Sequence, residues 1–122
     1  MNKKTTFHYW AILIILVFAP TVSFAHVHLE KSSPAKGETL NTAPENVELW
    51  FSGKVSDEWS KIEVTDAQGK RVDNKQVRRG SEGAKHLSVG LQSIPAGTYN
   101  VRWNVVAGDG HRVKGSASFT IK

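Results

Sequence analysis

Apolar and polar residues alternate in short runs along most of this chain, the period-two pattern of strands that bury one face. In Val47-Glu48-Leu49-Trp50-Phe51, the residues Val47, Leu49 and Phe51 fall on one side. Ile62 and Val64 repeat the alternation, Ala67-Gln68-Gly69-Lys70 supplies a turn, and residues 72–77 read as the returning partner of a hairpin. Residues 86–91 form another short strand, Pro95-Ala96-Gly97 breaks it, and Tyr99, Val101, Trp103 and Val105 face one side of the longest strand. Phe119 and Ile121 point inward from the last one, and residues 28–33 are an extended start closed by a turn at Pro34 and Gly37. About seven short strands separated by Gly, Pro, Asn and Asp turns, with no segment of helical period, predict an all-β fold. The expected architecture is an Ig-like antiparallel β-sandwich with Greek-key connections.

The N-terminus departs from this pattern. Lys3 and Lys4 precede an apolar run over residues 10–18, and Ser23-Phe24-Ala25 has the small-x-small form cut by signal peptidase. A membrane anchor needs about 20 continuous apolar residues, and Pro20 interrupts a much shorter span, so a retained anchor is the weaker alternative. Residues 1–25 are therefore expected to be a cleaved signal peptide, and residues 26–122 one exported domain with one core. For a bacterial chain the destination is the periplasm.

Composition narrows the chemistry. Removing Lys3 and Lys4 from the 16 basic residues, set against 11 acidic ones, leaves the domain mildly basic, with no nucleic-acid signature. The cluster Lys70, Arg71, Lys75, Arg78 and Arg79 is interleaved with Asp73 and Asn74, which reads as a solvated face or a contact for an acidic partner or lipid headgroup. Trp50, Trp59 and Trp103 sit singly on alternating segments and are expected to serve core or edge packing. Cysteine is absent, and the one methionine is Met1, so after cleavage no sulfur ligand remains. Any metal must be held by nitrogen and oxygen.

Cleavage after Ala25 would expose His26-Val27-His28. His26 would then offer two nitrogens to one ion, its α-amine and its Nδ1, closing a chelate ring that no internal histidine can form. The amine has an ordinary pKa of about 7.7 to 8, low enough for a metal to displace its proton near neutral pH. Far along the chain, Gly108-Asp109-Gly110-His111 places a carboxylate and an imidazole two residues apart in a tight loop. An amine, imidazoles and a carboxylate suit tetragonal Cu(II), although Zn(II) accepts such a set too. Each motif also has an ordinary reading, a solvated terminal histidine and an Asp-Gly turn. Residues and spacing alone do not make positions 26 and 111 neighbours.

Several motifs together resemble the CopC/PcoC/YobA-type periplasmic copper-binding proteins over nearly all of residues 26–122. The start His-Val-His-Leu-Glu-Lys-Ser-Ser-Pro-Ala-Lys-Gly is similar to the family's opening, and Ala43-Pro44 with Leu49-Trp50-Phe51-Ser52 to its following strand. Pro95-Ala96-Gly97-Thr98-Tyr99, Val101, Trp103 and Asp109-Gly110-His111 complete the pattern in order. The resemblance implies a sandwich that brings the N-terminus beside the Asp-x-His loop to bind one Cu(II) per chain. It implies His26 as amine and imidazole ligand, His111 as imidazole ligand, Asp109 as weak ligand or partner of the amine, and His28 as a further ligand. It also implies a monomeric carrier or buffer without turnover, with a CopD-type inner-membrane copper protein as partner.

Two features depart from the family. The Met-rich loop of some members is missing, and Gly53 stands where members often carry Glu. The first points to Cu(II) alone; the second removes a carboxylate that could orient the ligands, for which Asp57 and Glu58 are nearby candidates. His86 matches no ligand position and is expected to be solvated. Two rival functions are a copper oxidase using a histidine brace, against which the small size counts, and a metal-free Ig-like structural module.

Overall fold

Two four-stranded sheets follow from the alternating pattern, because each strand has one apolar face to bury. In the computed structural model, residues 26–122 are described, and the expected signal segment 1–25 lies outside the described residues. The strands are β1 (Leu29–Ser33), β2 (Thr39–Leu40), β3 (Asn46–Phe51), β4 (Lys61–Thr65), β5 (Asp73–Arg79), β6 (His86–Leu91), β7 (Gly97–Val106) and β8 (Arg112–Ile121). One sheet has the order β1-β3-β6-β5 and the other β2-β8-β7-β4. Register places apolar residues opposite apolar ones, Leu49 against Leu87 in the first sheet and Val64 against Val101 in the second. Leu49, Phe51, Ile62, Leu87, Val105 and Phe119 are almost wholly buried between the sheets. Each such side chain contributes about 1.5–3 kcal/mol by leaving water. The β-sandwich expected from the alternation is the fold observed.

Four expectations need correction. The count is eight strands, because Thr39 and Leu40 form a short edge strand that runs parallel to β8 in an otherwise antiparallel architecture. Backbone bonds from Gly37 to Ser118, from Thr120 to Glu38 and from Lys122 to Leu40 hold it there. The turn at 67–70 forms as read, with Asp66 Oδ1 accepting the N–H groups of Gln68 and Lys70. The arms pair only beside the turn, through the Thr65–Arg71 bridge and the Val72 N–H on Val64 O, and then part, β4 pairing with β7 in one sheet and β5 with β6 in the other. The chain changes sheets at Asp73, whose fully buried carboxylate accepts the Val64 N–H at 2.8 Å and the Lys75 N–H at 2.8 Å and pairs with Arg71.

His86, the third, is buried rather than solvated. Its ring stacks on Trp50 at 4.3 Å between centroids, and Gly80 covers the other side so closely that any Cβ there would overlap the ring. Nδ1 accepts the Glu82 N–H at 3.1 Å, which leaves the proton on Nε2, 3.1 Å from Glu48 Oε1 but out of line for a hydrogen bond. Trp50 is a packing residue on the outer face of its sheet and Trp103 is in the core, whereas Trp59 is 65% exposed and packs in neither place. The basic cluster is partly neutralised, since Arg71 pairs with Asp73 and Glu63 and Arg79 with Asp57.

The fold brings distant segments to one end of the sandwich. Residues 52–56 cross from β3 toward the second sheet, where Ser56 donates to Val106, Gly108 donates to Lys54 at 2.9 Å, and Val55 bridges Ala107. The same crossing meets the N-terminal arm: Ser52 N–H donates to His28 O at 2.8 Å, and His28 N–H to Ser52 Oγ at 3.0 Å.

Candidate metal centre

The loop between β7 and β8 is built around Asp109. Ala107 donates to His111 O at 2.8 Å and Gly110 to Ala107 O at 2.9 Å, closing a tight reversal. Within it Asp109 Oδ1 accepts the His111 backbone N–H at 3.0 Å, and Oδ2 lies 2.9 Å from His111 Nδ1. Both side chains are open to solvent. The backbone N–H of His111, and then its ring, hold the Asp109 carboxyl below the usual carboxylate range. A charged carboxylate facing Nδ1 selects the tautomer with its proton there, so the Nε2 lone pair is free to bind a metal.

His26 arrives from the other end of the described chain. Its ring stands 6.0 Å from that of His111, centroid to centroid, at an interplanar angle of 69°. A nitrogen-bound metal lies about 3 Å from the ring centre, given a metal–nitrogen bond of about 2.0 Å, so two rings on opposite sides of one ion stand about 6 Å apart. The observed separation fits that arrangement, and the donors are the nitrogen and oxygen atoms that suit Cu(II). His28 is exposed, with Nδ1 3.5 Å from the His26 backbone oxygen. Among the described residues no three His, Asp or Glu side chains are already gathered as a closed metal cluster.

The fold therefore brings the ring of His26 6.0 Å from that of His111, which Asp109 contacts, and so joins two segments whose proximity could not be read from spacing. Of the carboxylates weighed in place of a Glu at Gly53, Asp57 is turned to Arg79 at 3.1 Å. Ser52 and Lys54, which tie the arm and the loop to one crossing segment, were missed. Lys54 acts through its backbone and Ser52 through its backbone and its hydroxyl, and neither is a metal-ligating residue type; Ser52 was visible only as the last residue of a strand motif.

Comparison with known proteins identifies the family of the chain. The sequence model of the CopC domain family matches residues 29–122. Copper transport protein CutJ of Bacillus subtilis (strain 168) is 36% identical over 93% of this chain, which spans about a fifth of CutJ, 21% of its length. Protein YobA of Escherichia coli (strain K12) is 34% identical over 92% of this chain and 90% of its own. The crystal structure of CopC from Methylosinus trichosporium OB3b superposes with a TM-score of 0.75, at 29% identity, over 80% of this chain and 94% of that one. With a matching domain, matching relatives and a matching sandwich, this chain belongs to the CopC family of copper-resistance and copper-transport proteins.

Proposed function

We propose that this protein is a periplasmic Cu(II) carrier or buffer that binds one ion per chain without turning it over. The observation that carries the proposal is the His26–His111 approach at 6.0 Å with Asp109 on the far nitrogen of His111. In this reading the signal segment is removed after Ala25, and His26 binds through its α-amine and Nδ1. His111 binds through Nε2, and Asp109 orients His111 rather than binding strongly itself. His28 is an auxiliary ligand recruited on binding. The exposed position of the pair suits a protein that must release its metal, with a CopD-type inner-membrane copper protein as the partner.

The experiment adds one residue, a methionine, before His26 in a chain that otherwise starts there. The former amine becomes an amide nitrogen, a poor ligand until deprotonated, and the new amine lies outside the chelate ring. Cu(II) affinity measured by chelator competition is expected to fall more than 100-fold, a loss above about 2.7 kcal/mol. Circular dichroism should show the fold intact. Equal affinity in the two forms would remove the amine from the site. EPR of the chain starting at His26, with one equivalent of Cu(II), should show a tetragonal nitrogen-rich centre.

A further inference from the structure

The arm that carries His26 is short, and a ligand at its end is useful only if the arm is held. Two hydrogen bonds to Ser52, one to its backbone and one to its hydroxyl, fix it at His28, two residues past the ligand. Between them lies Val27, half-buried, packed against the core and standing directly over Gly53. A Cβ built on Gly53 would lie 2.7 Å from Val27 Cγ2, far inside van der Waals contact. Val27 is β-branched and stiff at χ1, so a small rotation does not clear the overlap. The backbone at Gly53 is not in the left-handed region, so the glycine is not there for its own conformation. Its use is the missing side chain.

We infer that Gly53 is a positioning residue: its bare Cα is the seat into which Val27 locks, and that lock holds His26 opposite His111. The same crossing segment fixes the other half of the site, since Lys54 O accepts the Gly108 N–H at 2.9 Å. One short segment is thus the common reference for both ligands. The seat faces only the arm, so filling it displaces His26 while leaving the Asp109–His111 pair where it is. In place of an orienting carboxylate at position 53, this chain uses a close-packed contact. The inference rests on the proposed copper site, and its test includes a readout that does not involve copper.

The test compares Gly53→Ala, Val27→Ala and the double variant with the parent, all in chains beginning at His26, which contain every described strand and the described core. Gly53→Ala should leave thermal stability close to the parent's, because alanine's restriction of the unfolded chain offsets the packing lost when Val27, at the edge of the core, is displaced. It should nevertheless lower Cu(II) affinity about tenfold, an energy of about 1.4 kcal/mol. In the metal-free protein the same change should speed amide exchange at His28 and Ser52 at least tenfold, while exchange at His111 and Gly108 stays as in the parent. Val27→Ala alone should cost less affinity, and the double variant should return to the level of Val27→Ala, so that the two losses are not additive. Additive losses, or parental exchange at His28 in Gly53→Ala, would overturn the seat. Faster exchange at His28 with unchanged copper affinity would keep the seat and overturn the assignment of His26 as a ligand.

Discussion

A carboxylate beside a metal-binding imidazole can either take the metal or aim the ring, and the two roles predict different mutants. Asp109 uses one oxygen on the backbone and the other on the ring of His111. With both oxygens engaged it aims. Replacing such an outer partner typically costs about 10–100-fold in metal affinity. Asp109→Ala should fall in that range for Cu(II), and His111→Ala should lose more, since water replaces a carboxylate's hydrogen bond better than it replaces an imidazole nitrogen. Isothermal titration of the two variants checks the order, and a greater loss in Asp109→Ala would make the carboxylate the stronger ligand. Of this candidate site the Asp-x-His loop was legible in sequence, and its carboxylate and imidazole face each other as the motif implies. The arm's attachment was not, because hydrogen bonds through Ser52 and the contact of Val27 with Gly53 depend on where the backbone goes.

At the scale of elements, the crossing from β4 to β5 decides whether the sandwich has two sheets or one. Periodicity identified both strands and composition identified their turn. Neither encodes which sheet a strand joins, and a turn of hairpin composition was read as a hairpin. Asp73 carries the missing information. Burial alone would raise its pKa, but the Arg71 guanidinium and the N–H groups of Val64 and Lys75 outweigh it and hold the carboxyl below its usual range. Asp73→Ala leaves the Val64 N–H buried without a partner and should cost about 2–3 kcal/mol. Because the folded pKa lies below the unfolded value of about 3.9, the stability from ionised Asp73 is complete above that value and is lost as pH falls through the folded one. Urea unfolding between pH 6 and pH 2 should therefore show the gap between the parent and Asp73→Asn narrowing on acidification. A gap independent of pH would mean that the charge contributes nothing.

Over the whole molecule, ligand type follows from composition. A chain starting at His26 has no sulfur, since there is no cysteine and Met1 is the single methionine. Nitrogen and oxygen donors suit the harder ion, so competition against chelators of each oxidation state should find Cu(II) held more tightly than Cu(I). Tighter binding of Cu(I) would refute the ligand set. His86 shows the limit of composition in the other direction: a polar residue judged solvated was buried because Trp50 on the neighbouring strand and a bare Gly80 formed a slot for its ring. Cross-strand register created that slot, and register is a property of the paired sheets.

The two halves of the proposed copper site come from distant parts of the described chain, His26 ahead of the first strand and His111 just ahead of the last. The proposed ligands are thus far apart in sequence, at positions 26 and 111 of a domain that runs from 26 to 122. An unfolded or half-emerged chain holds its ligands apart, and loop closure must be achieved by the sandwich before copper can gain from it. Metal capture should therefore report completed folding, and the ion should act as a clasp between the sheets. At free Cu(II) 1,000 times its dissociation constant, binding restricted to the folded state would add about 4.1 kcal/mol to global stability. Calorimetric scans should show the unfolding temperature rising with free copper. In the form carrying a methionine before His26 the rise should be much smaller, because one jaw of the clasp is gone.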